Sequence, residues 1–84
     1  MRTKHNETLR AVFANPVSGS IKWRDIEALL VACGADMSEG SGSRVRFTIA
    51  GQTLFLHRPH PPPDAKRWMI RDIREFLMNV GIRP

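Results

Sequence analysis

Apolar and polar residues alternate over residues 44–57, and this period of two predicts a β-hairpin. We place its turn at Ala50-Gly51, because hairpins favour two-residue connections. Six cross-strand pairs follow: Ile49 with Gln52, Thr48 with Thr53, Phe47 with Leu54, Arg46 with Phe55, Val45 with Leu56 and Arg44 with His57. This register puts the apolar pairs on one face and the polar pairs on the other, whereas a shift of one residue would mix them.

Helical spacing of apolar residues predicts two helices before the hairpin and one after it. Residues 5–14 form the first helix, and the second runs from Trp23 to Cys33. The last helix follows the proline-rich segment 59–63, and Asp64 is its predicted N-cap. Its apolar stripe consists of Met69, Ile70, Ile73, Phe76, Leu77 and Val80.

A short edge strand is predicted at residues 36–39, before the hairpin. The resulting order, α-α-β-β-β-α, contains no βαβ unit, so the sheet is predicted to be antiparallel with helices on one face. The sequence therefore predicts one α+β domain over residues 1–84 whose second sheet face stays open. With 84 residues its core is small, which favours a homo-oligomer or a bound partner.

The charge balance favours nucleic acid as a partner. The chain has 13 basic and 8 acidic residues, a net charge of +5, and most of its cations are arginines, which bind phosphate through a planar fork. A solvated basic surface is the alternative. No apolar run reaches the length of a membrane span, and a single cysteine, Cys33, makes no intrachain disulfide, so we expect a cytoplasmic protein with reduced thiols.

Two basic surfaces are candidates for binding RNA. Arg67, Arg71 and Arg74 follow one another at helical spacing and form a predicted ridge on the last helix, with a solvated face as the alternative interpretation. On the polar face of the hairpin we predict RNA contacts from Arg46, Phe55 and, just beyond it, Arg58. Phe55 either stacks on a base or packs in the core.

His57 and His60 are the candidate general bases, because imidazole titrates near neutral pH. RNA cleavage needs a base for the ribose 2′-hydroxyl and cations for the phosphate, and Arg44 lies opposite His57 in the predicted register. The alternative is a structured loop in which the imidazoles only satisfy backbone groups. With Asp64 as the one nearby acidic ligand, the set is poor for a metal, so neither a metal nor another cofactor is predicted.

Several segments together resemble the HicA family of toxins from bacterial type II toxin–antitoxin systems. They are the helix from Trp23 to Gly34, the Gly42-Ser43 dipeptide that opens the hairpin, Pro59-His60 at its end, and the last helix from Ile70 to Ile82. The resemblance covers roughly residues 20–82 and leaves the helix at 5–14 outside the common core.

The resemblance implies a double-stranded-RNA-binding-like fold, metal-independent cleavage of mRNA without sequence stringency, and a HicB-type antitoxin that covers the active face. In most members a histidine follows the Gly-Ser dipeptide and is catalytic, whereas this chain has Arg44 there. We hypothesise that His57 reaches almost the same space from the neighbouring strand, since directly opposed Cβ atoms lie about 5 Å apart. His60 matches the second histidine of many members. The alternative is a non-catalytic module on the same scaffold that binds RNA or the antitoxin.

Overall fold

A computed structural model describes residues 2–61 and 63–84 of the chain. It confirms the predicted order of helices and strands and the α+β class. The elements are α1 (Thr3–Val12), α2 (Trp23–Ala32), β1 (Asp36–Glu39), β2 (Arg44–Ile49), β3 (Gln52–His57) and α3 (Arg67–Asn79). The strands form one antiparallel sheet in the order β1-β2-β3.

The register of the hairpin is the predicted one at all six pairs. Ala50 and Gly51 both have positive φ, 51° and 77°, as a two-residue turn of type I′ requires. The face of the hairpin that is turned to the helices is buried at Val45, Phe47, Leu54 and Leu56. The opposite face is open to solvent, so the alternation of the sequence is also the division between core and surface.

The helices pack on the buried face of the sheet and complete the core. The predicted stripe of α3 is buried from Met69 to Leu77, and the ring of Trp23 in α2 meets Phe47 edge-on with centroids 6.4 Å apart. Cys33, after α2, is partly buried, and this burial raises the pKa of its thiol. Among the described residues no helix is long and apolar enough to span a bilayer.

The start of α3 differs from the prediction. Asp64 is not the N-cap of α3; it forms an isolated antiparallel bridge with Lys22, and α3 starts only at Arg67. The amide of Trp23 donates to the carbonyl of Pro63, and that of Ala65 donates to Ile21. This pairing keeps the backbone around residue 64 extended, so the chain becomes helical only after it. It also ties the end of the proline segment to the start of α2.

Candidate active site

The open end of the hairpin and the first turn of α3 line an exposed cleft of about 550 Å³. Its polar and aromatic side chains come from three segments of the chain that the sheet and α3 bring together. They are Ser41, Ser43, Arg44, His57, Arg58, His60, Lys66 and Trp68. The three residues that the sequence nominated for catalysis, His57, His60 and Arg44, therefore share one cleft.

Arg44 and His57 are direct cross-strand partners, and both are exposed. The next residues along, Ser43 and Arg58, are joined by a backbone hydrogen bond of 2.9 Å. In an antiparallel pair, hydrogen-bonded and non-hydrogen-bonded positions alternate, so Arg44 and His57 occupy a non-hydrogen-bonded position, where opposed side chains are closest. Neither side chain has a hydrogen-bond or ion-pair partner among residues 2–61 and 63–84, so both remain available to a ligand.

The Thr48–Thr53 pair shows how close such positions bring side chains. It lies four residues from Arg44 on β2 and therefore has the same non-hydrogen-bonded geometry, on the same face. Its two hydroxyl oxygens are 3.1 Å apart. The Cβ atoms of Arg44 and His57 are by the same geometry about 5 Å apart at the end of the hairpin.

His60 reaches the same cleft from the loop after β3. Its Nε2 is hydrogen-bonded with the hydroxyl of Ser43. Gly42, with a φ of +67°, makes the turn that presents Ser43 to the imidazole, and such a φ disfavours residues with a side chain. Pro59 is buried and fixes the start of the loop. The Gly-Ser dipeptide and His60 thus form one local unit.

Arg58 lies beside His57 in sequence but bonds within the protein. Its Nε donates to Glu27 at 2.7 Å, and its Nη2 pairs with Glu39. Glu27 also accepts a hydrogen bond of 2.7 Å from the indole of Trp23. Hydrogen bonds to Glu27 and then to Glu39 raise the pKa of Arg58. This group, which we name the Arg58 clamp, ties the end of β3 to α2 and β1.

The open face of the sheet continues the cleft toward β1. Phe55 is 69% exposed there, which excludes the core role that the sequence left open for it. Its neighbour Arg46 donates from Nε to the hydroxyl of Ser38 at 3.0 Å and so leans toward β1. A second cavity, of about 440 Å³, includes Phe55 and shares Arg44 and His57 with the first.

The three arginines of the predicted ridge on α3 differ in their surroundings. Arg74 donates to the backbone carbonyls of Val12 and Ala14, at 2.9 and 2.7 Å, and Arg67 donates to Val17 at 3.3 Å. Arg71 is exposed and has no such partner in the described part of the chain. Two of the three therefore fasten the segment after α1, and the RNA-binding role of the ridge stays a prediction.

Sequence analysis missed Lys66 and Trp68. A signal for Trp68 existed, because it is a large apolar residue directly before the buried stripe that starts at Met69. It is 48% exposed. Lys66 gave no such signal, since only the position of α3 beside the hairpin brings it to the cleft. Within the described residues no three potential ligands among His, Cys, Asp and Glu come together as a metal site would need.

One of three comparisons with known proteins identifies a family. A family model described as HicA toxin of bacterial toxin-antitoxin systems matches residues 23–82, more than two thirds of the chain. The match starts at α2 and ends just after α3, so it includes the sheet and every residue of the cleft. Comparison with curated proteins gives no match, and neither does comparison with solved structures.

Proposed function

The chain belongs to the HicA family of bacterial toxin–antitoxin toxins, and from this membership we propose that it is a metal-independent ribonuclease that cleaves mRNA. The observation that supports the proposal is the Arg44–His57 pair, a base and a cation that are opposed on the open face and have no side-chain partner among the described residues. In this proposal His57, on the adjacent strand, takes the role of the histidine that most family members have directly after the Gly-Ser dipeptide.

The proposed reaction uses the 2′-hydroxyl of the RNA as its nucleophile. His57 takes the hydroxyl proton, the 2′-oxygen forms a bond to phosphorus, and the bond from phosphorus to the 5′-oxygen breaks. The 5′-oxygen receives a proton from His60 or from water. The products carry a 2′,3′-cyclic phosphate and a 5′-hydroxyl, so no oxidant, metal or external nucleophile enters the balance.

The cations of the cleft hold the phosphate in this proposal. Arg44 is the first of them, because its planar fork can take two phosphate oxygens and stabilise the charge that develops on them. Lys66 approaches from the start of α3. Arg46 follows the strand along the open face. Arg58 has a different role, since its bonds to Glu27 and Glu39 make it a positioning residue for the end of β3.

We further propose that a HicB-type antitoxin neutralises the toxin by covering this cleft. The support is the position of the cleft, which is exposed and lies within the matched part of the chain. The surface there is basic, so the occluding segment of the antitoxin is expected to carry carboxylates.

The test is cleavage of a labelled mRNA by the purified protein in EDTA, with analysis of the product ends. We expect cyclic phosphate and 5′-hydroxyl ends from the wild type, and a loss of about 10²- to 10⁴-fold for His57→Ala. His5→Ala is the matched control, because this third histidine lies in α1, away from the cleft. Circular dichroism establishes that each variant is folded.

A rescue variant addresses the exchange of positions between Arg44 and His57. Arg44→His combined with His57→Arg exchanges the two side chains, keeps one imidazole and one guanidinium in the pair, and is expected to regain at least about tenfold over His57→Ala alone. Undiminished cleavage by both single histidine variants, and by the double variant His57→Ala/His60→Ala, would exclude histidine catalysis. RNA binding without cleavage by the wild type would favour the non-catalytic module, for which the arginine at position 44 is the supporting observation.

A further inference from the structure

Two exposed aromatic rings border the two cavities that share the Arg44–His57 pair. Phe55 stands two residues before His57 on the open face of β3, about 7 Å along the strand. Trp68 lies in the first turn of α3 and borders the cleft that contains Arg44 and His57. Their exposures of 69% and 48% are large for side chains that would gain stability from burial.

The surface between the two rings is continuous. The cavity that contains Trp68 and the cavity that contains Phe55 have Arg44 and His57 in common. A ligand that occupies both cavities therefore passes the proposed reaction centre. Both rings are outside the hydrophobic core, so neither is needed to fill it.

The charge along this path is positive. Arg44 and Lys66 lie in the cleft and Arg46 lies beside Phe55. Glu39 is the one carboxylate that borders these two cavities among the described residues, and it is paired with Arg58. Cations that alternate with aromatic rings match a single nucleic acid strand, in which phosphates alternate with bases whose faces are free to stack.

We propose that Phe55 and Trp68 each stack on one unpaired base, on the two sides of the phosphate held by Arg44, and so restrict the substrate to single-stranded RNA. This inference rests on the proposed ribonuclease function and adds its substrate class. In a duplex the base faces are covered by their neighbours, and proteins that bind it use its shape and backbone instead. A double-stranded region would therefore present neither ring with a partner.

The test measures binding separately from cleavage. The probes are dye-labelled 12-nucleotide 2′-O-methyl RNAs, one single-stranded and one annealed to its complement, which lack the hydroxyl needed for cleavage. Anisotropy titrations compare the wild type with Phe55→Ala and Trp68→Ala. Val31→Ala is the matched control, because Val31 is 52% exposed on α2 and borders neither cavity of the path.

We expect the single strand to bind more tightly than the duplex, and each aromatic truncation to weaken it by at least about fivefold. Val31→Ala should bind as the wild type does. Trp68→Phe should keep most of the affinity but lose the quenching of tryptophan emission by RNA, since the remaining Trp23 is only 7% exposed. Together these results would support the stacking of a base on each ring.

Equal affinity for single strand and duplex would overturn the inference. Unchanged RNA binding by both alanine variants would do so as well and would assign the rings to a protein-binding surface. These outcomes are distinct from failure of the proposed function, which is the absence of cleavage by the wild type. A further outcome is a wild type that binds RNA without cleaving it, together with alanine variants that bind more weakly. That result would support base stacking and would exclude only the proposed ribonuclease activity.

Discussion

Arg44 at the open end of the hairpin and Arg74 on α3 are both predicted to bind RNA, yet their surroundings are opposite. Arg44 is exposed beside His57 and has no partner in the described part of the chain. Arg74 donates to two backbone carbonyls at the end of α1 and just after it, and it lies over the ring of Phe13, 6.0 Å from its centroid. The residue type is the same, but one guanidinium is open to a ligand and the other fastens a helix.

The difference follows from what each arginine can reach. The segment at the end of α1 offers carbonyl groups that lack helical partners, and a cation there also interacts favourably with the helix dipole. The polar face near Arg44 offers an imidazole and a loop with a serine hydroxyl. Within residues 2–61 and 63–84, the one carboxylate that borders the two cavities there is Glu39, which is paired with Arg58. An exposed arginine is thus a better candidate for a ligand contact when the fold leaves it without acceptors.

Among the arginine variants, the largest effect is expected from Arg44→Ala. Because Arg44 contributes the charge nearest to the proposed reaction centre, its loss should lower cleavage of mRNA by about 10²- to 10³-fold. The free energy of unfolding should change by less than about 0.5 kcal/mol, since the side chain has no hydrogen-bond or ion-pair partner in the part of the chain that the structure describes. Product analysis on gels and urea titration measure the two quantities. Normal cleavage by a folded Arg44→Ala protein would contradict a direct role in the reaction.

Arg74→Ala should show the opposite behaviour. The variant loses two charge-assisted hydrogen bonds to backbone carbonyls, so the free energy of unfolding should fall by about 2 kcal/mol, measured by urea denaturation.

Arg71→Ala is the matched control on the same helix, because Arg71 has no such bonds among the described residues. Its stability should stay within about 0.5 kcal/mol of the wild type. If Arg71 contacts RNA, the salt dependence of binding in this variant should decrease by about one phosphate contact. Equal stability of the Arg71 and Arg74 variants would remove the distinction between the two arginines.

Among the variants that remove an internal bond, those of the Arg58 clamp are expected to lose the least stability. Glu27→Gln should lower the free energy of unfolding by about 1 kcal/mol, because the bond to Arg58 is partly exposed. Glu39→Gln is the control. It should lower the free energy of unfolding by less than Glu27→Gln does, since the side chain of Glu39 is 60% exposed. If the clamp positions His57, Glu27→Gln should also lower kcat with little change in KM. A change in KM alone would contradict this positioning role.

The pH dependence of the clamp follows from the raised pKa of Arg58. Its contribution is fully present below the ordinary pKa of a guanidinium and is lost only as the pH rises through the higher folded value. The difference in stability between Arg58→Gln and the wild type should therefore stay constant between about pH 7 and pH 10. A decline of this difference within that range, in thermal unfolding, would indicate that another group titrates with the clamp.

The sequence by itself determined the hairpin and its two faces. The alternation over residues 44–57 gave the turn at Ala50-Gly51, all six pairs and the exposure of Arg44 and His57. This was possible because strand pairing across a tight turn is local, and a one-residue shift would have exposed apolar side chains. The apolar stripe of α3 was predictable for a similar reason, since helical spacing is also local.

Only the tertiary structure decided which charged side chains stay open to a ligand. Arg58 bonds to Glu27 across 31 residues of sequence, and Arg74 bonds to Val12 across 62. The bridge of Asp64 to Lys22, which delays α3, is also between distant residues. Trp68 and Lys66 likewise reach the cleft only because α3 lies beside the hairpin, which is distant in sequence. No local pattern encodes such contacts, because they form only when packing of the core brings separate segments together.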